Sequence, residues 1–347
     1  MNQNTSKHTD IFATPFPYLS EFFLTIKILA PLWPAIILFG VISNITNIVV
    51  FLKAGAKDNV TVLLLCLAMS DLVFLILITP STCSYVIQAL VSSYSWPFDY
   101  FILHYLLYWP AFTAYDLSAF ISVSLGVMRC ACVAMPLKFK LVFTKARTIK
   151  WVMFLVILAV CLRIPVLSIN RISWRTDSQT NVSSPYLKAV NNRYMSHIND
   201  IINRGIVIYI LYITMVSCVI ILTFKLYQAS KIRRSYTTEQ LKVSDKSRNK
   251  PVAEGLHSKD MQVVKSVVLV CIIFILSQLT FLLTSTTRLI RPDFDNGQEL
   301  VYLFGILSQI NRTCSYLNAS LNIFVYYSYN SKYRSVLHSL VSVKGRK

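Results

Sequence analysis

The sequence predicts an all-α membrane protein: a seven-transmembrane helix bundle followed by a short amphipathic inner helix. Three observations predict it. The 347-residue chain is 55% hydrophobic and only 14% charged, where a soluble domain carries about 25% charge. Seven apolar runs of about 20 residues or more can be drawn, each long enough to cross a bilayer as a helix. Lysine and arginine gather in alternate loops, as they do on the cytoplasmic side of spanning proteins. The net charge of +19 therefore reads as loop charge beside a lipid bilayer, and nucleic acid is not an expected partner.

Residues 1–29 open polar and turn aromatic and proline-broken, and are read as an extracellular N-terminal tail. They lack the charged start, apolar run and small-residue site of a signal peptide. The spans follow at about 30–53, 60–90, 99–134, 149–170, 202–228, 261–290 and 299–327, and together form one membrane domain, 30–327. Between the fifth and sixth, residues 229–260 are charged and Ser-rich without apolar periodicity, which predicts a mobile third cytoplasmic loop. In the segment 328–347, Tyr333, Val336, Leu337 and Leu340 share one helical face, which suits a short helix on the inner surface before a cytoplasmic tail.

Placing the amino terminus outside puts Lys231, Arg233, Arg234, Lys242, Lys246, Arg248, Lys250 and Lys259 in one inner loop, and Lys332, Arg334, Lys344, Arg346 and Lys347 in the inner tail. The expected setting is the plasma membrane, multi-pass, carboxyl terminus inside. Asn4 and Asn181 begin sequons that fall outside under this orientation, where a glycoprotein carries its glycans. Asn44, Asn59, Asn311 and Asn318 match the same pattern by chance in or near spans.

The polar residues inside the spans carry the functional argument, because a charge there costs about 2.5–3.5 kcal/mol and needs a partner or a wet cavity. Asp71 sits in the second span, Asn47 in the first, and Asn318 and Asn322 in the seventh. They form either a hydrated, ion-linked cluster or interhelical hydrogen-bond glue. In the third span Ala111, Ser118 and Arg129 share one face at 100° per residue, looking into the bundle, with Tyr115 toward the outer half. Asp116 points away from that face, and Arg163 in the fourth span is its expected mate. A structural ion pair is the first reading, a ligand contact the second. Arg312 has no clear mate and is either a ligand anchor or capped by backbone carbonyls. Val152, Val156, Ile157 and Val160 in the fourth span read as lipid-facing filler. The eight cysteines, all in or beside apolar stretches without metal spacing, read as small apolar fillers. No two histidines are spaced for a metal, and no catalytic set emerges, so an enzyme is not expected.

Several stretches then carry a family pattern in the right order. Asn47 is followed by Leu67-Ala68-Met69-Ser70-Asp71, Trp96-Pro97-Phe98, and Met128-Arg129-Cys130 with Pro136-Leu137 after it. Phe274, Ser277-Gln278-Leu279-Thr280-Phe281 and Asn322-Ile323-Phe324-Val325-Tyr326 come next, with Tyr333 beyond. Over about residues 30–340 these resemble the motifs of the rhodopsin-like (class A) G-protein-coupled receptors. The departures are Met128 for the acid before the arginine, Gln278 and Thr280 for the sixth-span tryptophan and proline, and Ile323 for the seventh-span proline. The fifth span has no proline, and His104 stands where the family has a bridging cysteine. Such divergence resembles invertebrate peptide or chemosensory receptors. Ala111, where amine receptors place their carboxylate, agrees.

The resemblance implies signal transduction: an extracellular ligand biases the bundle and the inner face engages a heterotrimeric G protein, with arrestin and a receptor kinase as further partners. It implies that Asp71, Ser118, Asn318 and Asn322 form a water cluster in which a sodium ion can act as allosteric modulator; no other cofactor is implied. It implies that Arg129, Pro136 and Tyr326 serve G-protein coupling, and Asp260 is expected to pair with Arg129 at rest. Inward residues of the outer half, the expected ligand pocket, are Ala111, Phe112, Tyr115, Phe281, Ser285, Arg288, Gln309, Arg312 and Tyr316. Arg288 and Arg312 favour an acidic group. The long outer loop 171–201 favours a neuropeptide, with a small chemosensory molecule, acidic in one reading, as the alternative. Outside the class stands a transporter or channel, which would need repeats or a polar path.

Overall fold

The computed structural model describes residues 18–55, 58–91, 100–135, 139, 142–176, 183–190, 193–243, 253–291, 293–295 and 297–344. The chain forms α1 (Leu19–Leu29), α2 (Leu32–Ala54), α3 (Asn59–Leu90), α4 (Tyr100–Ala134) and α5 (Lys145–Ser168). A hairpin follows, β1 (Asn170–Thr176) antiparallel to β2 (Ser183–Ala189). Then come α6 (Arg193–Asn199), a π-helical turn (Asp200–Ile206), α7 (Val207–Val243), α8 (Ala253–Ile290), α9 (Val301–Ser320), α10 (Asn322–Tyr329) and α11 (Ser331–Lys344). The result is a mostly helical membrane bundle, and the two-stranded hairpin between α5 and α6 is an addition to the all-α expectation.

Among the described residues, six helical stretches are long and apolar enough to cross a membrane. The seventh crossing is made by α9 and α10 together, which carry Gln309, Asn311 and Arg312 and are interrupted at Leu321. Helix starts follow local chemistry. Asp58 caps α3 by accepting from the Thr61 amide at 2.9 Å, and Thr144 caps α5 by accepting from the Arg147 amide at 3.4 Å.

Helix α4 is the centre, touching α3, α5, α7 and α8. At the end of the bundle where α4 finishes, Val50, Leu63, Leu67, Ile121, Leu125, Tyr326 and Tyr333 form one buried cluster. At the other end Trp33, Phe74, Ala111 and Tyr316 form a second. The outward faces are apolar too: Ile157, Ile213, Ile220, Leu276 and Leu283 are all exposed, as side chains facing lipid tails must be.

Four features depart from the sequence expectation. Part of the expected N-terminal tail is the helix α1. Its Phe22 and Ile26 pack inward, with Phe22 against the Tyr302 ring at 5.5 Å. The expected loop 229–260 is largely helical, because α7 continues to Val243 and α8 begins at Ala253. Extending an existing helix requires no new nucleus, so polar Lys, Glu and Gln residues prolong it readily. The fifth crossing lacks a proline, and it opens instead on the π turn. There the Asn203 amide donates to the Leu162 carbonyl at 2.7 Å and to Asn199 Oδ1 at 2.9 Å. The seventh crossing breaks at Leu321 although Ile323 replaces proline. Side-chain bonds on both sides of Leu321, from Ser320 and Asn322, hold the break.

Candidate functional site

A cavity of about 230 Å³ opens between α4, α5, the π turn, α7, α8 and α9, in the half of the bundle where α4 begins. One face of α4, Tyr108, Phe112, Tyr115, Asp116 and Ala119, supplies its near wall. These positions recur at helical spacing, and the aromatic rings pack in sequence: Tyr108 to Phe112 at 4.5 Å, Phe112 to Tyr115 at 5.9 Å. Helix α8 brings Phe274, Gln278, Phe281, Thr284, Ser285 and Arg288, and α9 brings Ser308, Asn311, Arg312 and Ser315.

The expected pocket residues Phe112, Tyr115, Phe281, Ser285, Arg288 and Arg312 thus meet at one cavity. Ala111, Gln309 and Tyr316 do not line it. Ala111 is wholly buried against the α2 and α3 cluster. The Gln309 amide donates to the Tyr85 hydroxyl at 2.6 Å, and the Tyr316 hydroxyl bonds Thr82 Oγ1 at 2.6 Å. Both therefore face α3.

Three arginines line the cavity, and their surroundings differ. Arg163 forms an ion pair with Asp116, donates to the Phe112 carbonyl at 3.3 Å, and stands 5.9 Å from the Trp109 ring. The pair joins α4 to α5 as its spacing suggests, but it also forms part of the cavity wall. Arg288 pairs with Asp295, has Asp200 Oδ2 at 4.0 Å, and lies over the Phe304 ring. Its charge is already answered within the chain. Arg312 lies instead between two rings, 5.3 Å from Trp33 and 4.8 Å from Tyr85. Among the described residues no carboxylate pairs with it. Trp33 is held in turn by donation from its indole N–H to Thr313 Oγ1 at 2.9 Å.

Below the cavity the polar residues continue. Gln278 donates to the Tyr115 hydroxyl at 2.8 Å, tying α8 to α4 where the family pattern has tryptophan. Ser118 Oγ donates to Asp71 Oδ1 at 2.6 Å and Asn322 Nδ2 donates to Asp71 Oδ2 at 2.9 Å. Asp71 is wholly buried, and Asn318 is buried in α9 just before the break. Asn47 goes elsewhere: its Oδ1 accepts from the Tyr333 hydroxyl of α11 at 2.7 Å. The link from α2 to the seventh crossing comes from Asn44, whose amide donates to the Ala319 carbonyl at 2.7 Å. Asn44 matches a chance sequon in sequence, and only its depth in α2 reveals its role.

Toward the far end, Arg129 is half-buried on α4 beside Met128, which joins the core. The Tyr326 ring packs on Phe51 at 5.2 Å and Tyr333 at 5.9 Å. Asn4, Asn181, Pro136, the Trp96-Pro97-Phe98 stretch and the Asp260 side chain lie outside the described residues. The eight cysteines are free. Where the family pattern has a cysteine, His104 stacks on Tyr108 at 4.2 Å. Beside it, the Tyr105 hydroxyl is shared between the carbonyls of Leu167 at 2.7 Å and Asn170 at 3.2 Å, tethering the hairpin's base.

The signals that could have found the missed residues are weak. Asn203 and Asn311 stand among other polar residues, Asn199, Asp200 and Arg204 around the first and Gln309, Arg312 and Thr313 around the second, and Trp33 and Tyr85 are single aromatics in apolar spans. A family model described as 7 transmembrane receptor (rhodopsin family) matches residues 43–326. No curated protein matches the chain.

Proposed function

The chain belongs to the rhodopsin family of seven-transmembrane receptors, and from that premise we propose that it converts an extracellular ligand, a neuropeptide, into activation of a heterotrimeric G protein. As a member of that family it is a signalling receptor of the membrane and not an enzyme. The observation that supports the ligand half is the cavity, with its aromatic walls and arginine, lying above a bonded chain. That chain is two bonded groups joined through the backbone of α4, Tyr115–Gln278 and Ser118–Asp71–Asn322, with Tyr326 beyond them. A ligand that repositions Tyr115 or Gln278 shifts the balance between two packings of that chain.

In this reading the amino terminus is extracellular, the protein works at the plasma membrane, and Asn4 and Asn181 carry glycans. Arg129, Pro136 and Tyr326 serve coupling, Asp260 restrains Arg129 at rest, and arrestin and a receptor kinase act on the inner face. The donor set around Asp71 fits a small hard cation: a wholly buried carboxylate with the Ser118 hydroxyl bonded to it. Asp71 and Ser118 would hold sodium, with Asn318 and Asn322 beside them, and the ion would supply a charge that favours the resting packing.

The test is G-protein dissociation in cells expressing the chain, challenged with fractionated neuropeptides and small metabolites, with Arg129→Ala alongside. A response lost in that variant supports coupling. A response that persists there refutes the role given to Arg129. The second reading, a small acidic chemosensory ligand, is favoured by Arg312 and by the modest volume of the cavity.

A further inference from the structure

The three cavity arginines are not equivalent, and the difference points to a ligand chemistry. Arg163 and Arg288 carry their own carboxylates, Asp116 and Asp295. Among the described residues, Arg312 is held by ring faces, Trp33 at 5.3 Å and Tyr85 at 4.8 Å, and no carboxylate pairs with it. A guanidinium kept over two rings is oriented and partly desolvated, but its N–H fork is left for a planar anion. The rings are themselves fixed, Trp33 by Thr313 at 2.9 Å and Tyr85 by Gln309 at 2.6 Å. Trp33 and Tyr85 are therefore positioning residues for Arg312.

The neighbouring residue supplies the second half. Asn311 lines the same cavity and is only 9% exposed. Its Nδ2 donates to Thr284 Oγ1 at 3.0 Å, while its Oδ1 is buried without a hydrogen-bond donor. A buried acceptor in that state is satisfied when an incoming N–H donates to it. Both residues line the one cavity, about 100° apart around the helix but only about 1.5 Å apart along it, so an anion at Arg312 and an N–H at Asn311 fit two ends of one small unit. The donor is a neutral amide rather than an ammonium, because Asp116 is the one carboxylate on the cavity wall among the described residues and Arg163 already occupies it.

Deepening the receptor reading above and resting on it, we infer that the cavity takes an acylated α-amino acid unit. Its carboxylate sits on Arg312, its amide N–H on Asn311 Oδ1, and its side chain against Phe112 and Phe281. That unit is the free C-terminus of a peptide or an N-acyl amino acid.

The experiment measures the melting midpoint of the purified full chain in detergent, with and without millimolar probes. The probes are N-acetyl-phenylalanine, the tetrapeptide Ala-Ala-Ala-Phe, and the C-terminal amide of each. At least one acid raises the midpoint by a few degrees and its amide does not. A shift from the tetrapeptide alone assigns the peptide source, and a shift from N-acetyl-phenylalanine assigns the small-molecule source. Arg312→Gln weakens the acid's binding roughly ten- to hundredfold, the range for a hydrogen bond to a charged group. Arg312→Lys, which keeps charge over the rings, retains part of the shift. Acids and amides shifting alike, or no acid shifting at all, overturns the inference even if Arg312→Gln fails to fold. No G protein is present, so failure here leaves the signalling reading standing, and loss of coupling with binding intact does the reverse.

Discussion

Neutralising one partner of the Asp116–Arg163 pair should destabilise the bundle far more than removing both. The side chains are 27% and 11% exposed, respectively, so the pair sits at a cavity wall rather than in a dry core. Breaking a fully buried pair costs about 3–5 kcal/mol, because the survivor's charge is left uncompensated. Here Arg163 keeps its bond to the Phe112 carbonyl and its place beside Trp109, and both partners line the open cavity rather than a packed interior. Asp116→Asn and Arg163→Met should each therefore cost about 2–3 kcal/mol, at or below the foot of that range. At roughly 2 °C per kcal/mol the melting midpoint falls by about 4–6 °C. The double variant Asp116→Leu/Arg163→Met, apolar on both sides, should lie within about 1 kcal/mol of the parent. Unfolding can be followed by reaction of the buried thiols of Cys218 and Cys271 with a fluorogenic maleimide. Single losses that simply add in the double variant would show that the two residues do not act as a pair.

Gly305→Ala places a Cβ 2.5 Å from the Phe22 ring, which should undock α1 and cost about 1–3 kcal/mol; Phe22→Ala in the same chain should restore the midpoint. Gly40→Ala meets Ser320 Oγ at 2.2 Å and Leu75 Cδ1 at 2.6 Å, so α2 must move off the seventh crossing, and surface expression should fall sharply. Tyr333→Phe leaves Asn47 Oδ1 without its 2.7 Å donor, at about 1–3 kcal/mol. By loosening the ring stack on Tyr326 it should also raise basal G-protein turnover, and an unchanged basal rate would dissociate α11 from the coupling end. Asp260→Ala should raise basal signalling as well; equal activity at equal surface level would remove Asp260 from the resting state.

The crossings were legible because lipid imposes a coarse rule on composition, and the residues at their ends follow it closely. What hydropathy could not read is helix that leaves the apolar zone. The polar extension of α7 to Val243 and the α1 segment are helical through continuity and packing, not through length or hydropathy. The break at Leu321 and the π turn at Asp200–Ile206 were equally hidden. Both arise from side-chain bonds to other helices, Asn322 to Asp71 and Asn203 to Leu162, where a proline would have been a local signal.

The misplaced pocket residues share one physical cause. In α4 the expected pocket residues are Ala111, Phe112 and Tyr115, and in α9 they are Gln309, Arg312 and Tyr316. The three that miss the cavity do point inward, but toward α3: Ala111 into the cluster with Phe74, Gln309 to Tyr85, Tyr316 to Thr82. The cavity faces are Phe112, Tyr115, Asp116 and Ala119 in α4, and Ser308, Asn311, Arg312 and Ser315 in α9. Phe112, Ser308 and Ser315 lie one position from Ala111, Gln309 and Tyr316, a rotation of about 100°. A helix surrounded by protein is inward on several faces, so amphipathicity cannot say which one borders empty space. On α8, whose outer side meets lipid at Leu276 and Leu283, only one inward face remains. There the expected Phe281, Ser285 and Arg288 all reach the cavity. The same geometry explains Asp116. It turns away from the Asp71 face, as its spacing demands, and that direction holds both Arg163 and the cavity. The pair is thus structural and within reach of a ligand at once, which is why its thermal effect and its effect on ligand binding must be measured on the same variants.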